Sequence, residues 1–190
     1  SFPTLVYLNR LDLSNNQIQY IFEKSFNLLL KLSHIELNRN NIKHLPREIF
    51  WNLNLRKFYF SFNQIEDLPE ELFKNSKNLT DIILKKNKIK IIEKKSFQSL
   101  TNLIVLDLGE NLLEALTYGI FNDLTNLNNL YIESNLIKHL DKSVFQNLTK
   151  IDYLDFDNQK LEVINSFSFY GLENLKVLKM SNNMISTIKT

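Results

Sequence analysis

Leu103-Ile104-Val105-Leu106-Asp107-Leu108-Gly109-Glu110-Asn111-Leu112-Leu113-Glu114-Ala115-Leu116 is the stretch that decides the fold. Leucines at 103, 106, 108, 113 and 116 frame one asparagine as L-x-x-L-x-L-x-x-N-x-L-x-x-L. The same frame opens the chain as Leu8, Leu11, Leu13, Asn16, Ile18 and Ile21. Asparagine, or once glutamine, returns at Asn16, Asn40, Asn63, Asn87, Asn111, Asn135, Gln159 and Asn183. The steps are 24 residues, with a single step of 23 between Asn40 and Asn63. A fixed period of this length means a stacked array in which each unit buries its apolar face against its neighbours. Such an array offers a long surface instead of a pocket. The units are numbered one to eight here by these eight residues.

Within each unit the x-L-x-L-x segment alternates apolar and variable residues, the period-two signature of a strand with one buried face. Successive strands are expected to pair in parallel, about 4.8 Å apart. The asparagine is expected to turn inward and satisfy backbone groups left unpaired by the tight turn, because a buried amide is tolerated only when hydrogen-bonded. Gln159 carries an extra methylene, so the seventh turn is expected either to distort or to use Asn158 instead. Ten residues past each marker stands Phe26, Phe50, Phe73, Phe97, Phe121, Phe145 or Phe169, and Phe2 fits a preceding unit. Three residues further comes a leucine, except at Ser76. Phenylalanines at this spacing form an internal spine. Trp51, beside the shortened second unit, is expected to fill the gap left by the missing residue. The outer connections are too short for long helices, so turns and 3₁₀ pieces are expected there.

The bulk numbers agree with one continuous array over residues 1–190, about eight repeats with no cysteine caps. The 23 basic and 21 acidic residues nearly balance, so charge does not nominate nucleic acid as a partner. No stretch approaches the roughly 18 apolar residues of a membrane span, and Ser1-Phe2-Pro3 is not a signal peptide. Nothing catalytic assembles: His34, His44 and His139 fall in different units, and there is no cysteine, no metal-ligand motif and no glycine-rich phosphate loop. No catalytic residue, metal or cofactor is therefore expected.

On these repeats the chain resembles the leucine-rich repeat proteins, over essentially its whole length. The 24-residue unit with an outer phenylalanine is similar to the extracellular subclass shared by Toll-like receptors, variable lymphocyte receptors and small leucine-rich proteoglycans. The resemblance implies an α/β solenoid, a right-handed horseshoe arc with a parallel sheet on its concave face. It also implies a non-catalytic protein-binding role in an extracellular or cell-surface setting, as in the ectodomain of a host-defence receptor. Extracellular arrays of this kind usually carry cysteine-rich caps. A chain that opens mid-unit at Phe2 and Leu5 without them is expected to be a fragment of a longer array, or to associate through its uncapped ends.

The variable positions between the leucines point out of the sheet. Tyr59, Phe62, Ile83, Val105, Tyr131 and Tyr153 place large apolar groups there, where a solvated sheet carries polar ones. Across units five to seven the same face carries six carboxylates, Asp107, Glu110, Glu133, Asp152, Asp155 and Asp157, and no basic residue. Glu133 and Asp157 are expected to oppose each other on neighbouring strands, where like charges repel. The expected partner is a protein or peptide with a basic patch, gripped by the aromatic residues and by Asp107, Glu133, Asp155 and Asp157. Asn78-Leu79-Thr80 and Asn147-Leu148-Thr149 match the glycosylation sequon. Two other classes of function remain open: a structural or adhesive element acting by lateral assembly, and an intracellular scaffold or inhibitor, which the absence of cysteine permits.

Overall fold

The computed structural model describes residues 4–189, so Phe2, assigned above to a preceding unit, lies outside them. Twelve short strands run in order: β1 (Arg10–Asp12), β2 (His34–Glu36), β3 (Lys57–Tyr59), β4 (Asp67–Leu68), β5 (Asp81–Ile83), β6 (Ile91–Ile92), β7 (Val105–Asp107), β8 (Asn129–Tyr131), β9 (Tyr153–Asp155), β10 (Val163–Ile164), β11 (Val177–Lys179) and β12 (Thr187–Ile188). The three-residue strands form one eight-stranded parallel sheet, β1-β2-β3-β5-β7-β8-β9-β11. Outside it, β4 pairs with β6 and β10 with β12. Each main strand pairs in register with its counterpart one unit on, as Leu106 opposite Leu130 and Leu130 opposite Leu154. The central residues Ile35, Phe58, Ile82, Leu106, Leu130 and Leu154 are fully buried, as the period-two reading requires.

Each ladder asparagine after Asn16 ties two units together. Asn87 accepts the Ile65 N–H of the preceding unit at 3.0 Å, and its amide nitrogen donates to Phe60 and Leu84 carbonyls at 2.9 Å each. Asn40, Asn111 and Asn135 repeat this arrangement with the same offsets, and Asn63 with offsets one residue shorter across the short step. Gln159 takes the same place: Oε1 accepts Ile137 N–H at 3.1 Å and Nε2 donates to the Ile132 carbonyl at 2.6 Å. Asn158 does not substitute for it, being exposed and bonded to Asn182.

The outer wall consists of turns, and among the described residues the expected 3₁₀ pieces do not form. The reason is in the bonding. Closures such as Ser96 N–H to Glu93, Gln98 to Lys95 and Leu100 to Phe97 fall on every second or third residue instead of consecutive ones, so no helix can grow from them. Behind this wall the phenylalanine spine is stacked, with Phe97, Phe121, Phe145 and Phe169 at 6.2 to 6.5 Å.

The spine breaks at the shortened unit, and the break explains two irregularities of sequence. Phe58 inserts edge-on between Phe50 and Phe73, at 5.3 and 5.0 Å, and stacks on Phe60 at 3.9 Å. These two rings supply the missing volume. Trp51 does not fill the gap: it is half-buried, donates its indole N–H to the Glu71 carbonyl at 3.0 Å, and lies under Lys74. The deletion also brings Leu53 and Leu55 too close for the usual turn closure. The Ser76 hydroxyl, fully buried in the next unit, accepts the Leu55 N–H at 3.1 Å and donates to the Leu53 carbonyl at 3.0 Å. Serine stands in the leucine position because the neighbouring turn is one residue short.

Replacing Ser76 by alanine should therefore cost about 1–3 kcal/mol, the usual cost of stranding buried backbone groups. Ser76→Leu, which restores the repeat pattern, should destabilise as well. Urea unfolding measures both, and a Ser76→Leu chain as stable as the parent would contradict the assignment.

Candidate binding surface

The outward face of the main sheet gathers the sequence-selected residues into two groups separated by a charged belt. In the first, Tyr59 and Ile83 stand side by side on β3 and β5. With Asn38, Arg39, Ser61 and Phe62 they line an open hollow of about 380 Å³. Phe62 is the residue just before its ladder asparagine, a position held in left-handed backbone in every unit, with φ of 53 to 58°. That conformation suits asparagine, found here at Asn15, Asn158 and Asn182, and is poorly suited to an aromatic residue. Phe62 is 38% exposed, with the Arg39 guanidinium 4.3 Å and the Lys86 ammonium 5.0 Å from its ring centre. In the second group the Tyr131 and Tyr153 rings lie 5.2 Å apart on β8 and β9. Val105 is half-buried on β7, in line with Asn129 and Tyr153.

The acidic stretch is less free than its sequence suggests. Glu133 keeps its place opposite Asp157, the Tyr131–Asp155 register carrying on into the Ser134 N–H to Asp157 carbonyl bond, but its side chain turns away. It reaches back across unit five to Lys85, 2.6 Å away, and Lys85 also approaches Glu110 at 3.4 Å. Gly109 permits this, since a Cβ there would lie 2.5 Å from Glu133 Oε1. Asp152 is paired with Lys176 and Asp155 with Lys179. Asp155, expected in the open, is 7% exposed. It remains on the sheet's outer side but is covered by Lys179 and by the Tyr153 hydroxyl, which donates to it at 3.1 Å. Asp157 accepts the Ser181 N–H at 2.5 Å.

Asp107, like Asp157, has no ion-pair partner among the described residues. It accepts the Gly109 N–H at 2.9 Å, yet burial pushes its pKa up to about 6, and the Glu133 charge adds to the rise. The histidines do not converge: His34 contacts the Ser33 hydroxyl, and His44 faces Asp67 in its neighbouring unit. Among the described residues no group of three potential ligands could hold a metal ion, and no helix is long and apolar enough to cross a membrane.

The leucine rich repeat family matches residues 6–65, 54–113 and 101–161, most of the chain. The chain belongs to that family. It is 34% identical to mouse keratocan over 131 residues, which is 60% of this chain and 36% of keratocan. Its solenoid superposes on TLR13, solved with ssRNA13, with a TM-score of 0.90 at 32% identity, over 97% of this chain and 26% of that one. It superposes on Drosophila Toll, solved with Spatzle, with a TM-score of 0.77 at 25% identity, over 96% of this chain and 28% of that one. The chain thus spans about a third of keratocan and about a quarter of the TLR13 and Toll chains.

Two features of this leucine-rich repeat were not read from sequence. One is the left-handed position before each asparagine, signalled only by its asparagines. The other is a second side-chain ladder on the outer wall, in which Asn102, Asn126 and Asn174 donate to Lys77, Thr101 and Thr149 carbonyls. Asn78 sits on the same beat beside the shortened unit and is exposed. Asn147, the other sequon asparagine, is half-buried and donates to the Asn122 carbonyl at 3.2 Å.

The raised Asp107 pKa has a definite sign. An acid whose folded pKa lies above its unfolded value of 3.8 binds more protons when folded, so stability falls as pH rises from about 4 to about 6. Asp107→Asn keeps the acceptor for Gly109 and removes the charge. It should stabilise the chain by about 1 kcal/mol at pH 7, after allowance for solvent screening, and by nothing at pH 4. Thermal melts of both chains across that range provide the check; a variant that is less stable at pH 7 would contradict the account.

Proposed function

We propose that this chain is a non-catalytic recognition module that holds a protein or peptide partner on its concave sheet, in an extracellular or cell-surface setting. The observation that carries this is the placing of two aromatic groups, Tyr59 with Phe62 and Tyr131 with Tyr153, on the solvent side of the sheet. Tyrosine gives contact area with little loss of side-chain freedom and is frequent among binding hot spots. The likeness to Toll in its complex with Spatzle supports a protein partner. The subclass that the repeats resemble supports the extracellular setting, in which Asn78 is the sequon open to a glycan. Asp107 and Asp157 are the carboxylates left to meet a basic patch on the partner, because the other four are engaged by lysines.

A second reading, single-stranded RNA, is favoured by the likeness to TLR13 solved with ssRNA13 and by cations beside Tyr59 and Phe62. The carboxylates of the downstream half weigh against a phosphate backbone along the whole arc.

Selection of a displayed random-peptide library on the immobilised chain separates these readings. Selected peptides should lose about tenfold or more in affinity against Tyr131→Ala or Tyr153→Ala and nothing against Tyr118→Ala, an exposed tyrosine in an outer turn. Unchanged affinity for both concave variants, in chains that melt normally, would remove the proposal. Binding of an oligouridylate with the same losses, and no selected peptide, would favour the second reading.

A further inference from the structure

The hollow at units two to four has three properties that a solvated sheet does not need. Its floor is apolar, made by Tyr59 and Ile83 on paired strands. Its rim holds an aromatic residue, Phe62, in left-handed backbone where asparagine would be relaxed. Its rim carries one cation, Arg39, that the neighbouring carboxylates do not neutralise. Glu36 is taken by Arg10 at 2.7 Å and Asp81 by Lys57 at 3.7 Å, while Lys86 is paired with Glu110. Arg39 has no ion-pair partner among the described residues and lies over Phe62. Asn38, on the same rim, commits its carbonyl oxygen to the Ser61 N–H at 2.9 Å, and no bond of its amide nitrogen is recorded among the described residues.

We infer that this hollow takes one large aliphatic or aromatic side chain of an acidic peptide segment, with a neighbouring carboxylate held by Arg39 and Asn38. The inference rests on the recognition role proposed above and adds the chemistry of one contact. The volume, about 380 Å³, lies at the low end of ligand pockets and suits a single side chain with its carboxylate neighbour. A guanidinium beside an apolar floor rewards an acidic group next to a hydrophobic one. Base stacking fits less well. The Phe62 ring has a cation over it from each neighbouring unit, so it offers an edge to the hollow instead of an open face. Since the downstream half of the sheet keeps Asp107 and Asp157, the whole partner would be acidic at one end and basic at the other.

Fluorescence anisotropy with labelled hexapeptides tests this at physiological salt. The acidic probe is Glu-Asp-Phe-Asp-Leu-Glu, the basic one Lys-Lys-Phe-Lys-Leu-Lys, and a hexauridylate provides the nucleic-acid arm. The acidic peptide should bind about tenfold or more tightly than the basic peptide, and about tenfold more weakly to Arg39→Asn and to Phe62→Asn. Both substitutions place asparagine where left-handed backbone favours it. Their melting temperatures should therefore hold or rise while binding falls, a split that a purely structural role would not give. Equal affinity for the two peptides, acidic-peptide binding indifferent to both variants, or binding of hexauridylate alone would each overturn the inference. Library-selected peptides that still depend on Tyr131 and Tyr153 would then leave the wider recognition role standing.

Discussion

The side-chain amide of each ladder asparagine after Asn16 holds three backbone groups, two in the preceding unit and one in its own. The turn is buried, so a strand-turn of this tightness depends on the next unit supplying a side-chain amide, an asparagine or, at 159, a glutamine. The dependence runs along the whole stack. Asn63 supports the turn of Asn40 through the Ile42 N–H and the Leu37 carbonyl, and Asn87 supports that of Asn63. Each bond contributes on the order of 1 kcal/mol net, but an unpaired buried group costs about 1–3 kcal/mol, so loss is felt more than gain. The bridges therefore act less as glue than as a condition that every unit places on its neighbour.

From that condition the exposed surface follows. The turn fixes one residue per unit in left-handed backbone and limits each strand to three residues, of which the middle one is buried. Two side chains per strand then face out in register with those of the next unit, and this is why tyrosines on adjacent strands, two register positions apart, can meet as Tyr131 and Tyr153 do. The same register lets Lys85 reach Glu133 over Gly109, two units away. A surface built this way is wide and shallow, its character set by which side chains occupy a repeating lattice and not by an enclosed pocket.

The period, the buried leucines, the phenylalanine spine and the outward tyrosines were legible because they depend on spacing alone. Where spacing stopped deciding, the sequence reading failed. Trp51 was the nearest large residue to the deletion, yet Phe58 and Phe60 fill the space, because the missing residue lies just before strand β3 and opens the volume in front of that strand. Ser76 looked like a lapse in the pattern until the Leu55 N–H it satisfies was seen one unit away. Asp155 points outward as expected but is covered by Lys179 and Tyr153, long side chains whose final positions a repeat period does not set. The charge segregation is real in sequence and partly cancelled in space, since Lys85 crosses from the basic half into the acidic one.

Native-state hydrogen exchange on an Asn87→Ala chain tests most directly whether units depend on one another through these amides. The Ile65 amide donates to Asn87 and should lose protection by about tenfold or more; the Phe60 and Leu84 amides, whose own carbonyls lose the Asn87 donor and whose N–H groups bond the Ile83 and Asp107 carbonyls, should lose protection with it. Protection unchanged at Ile65, or a loss confined to the unit that carries the substitution, would contradict the account.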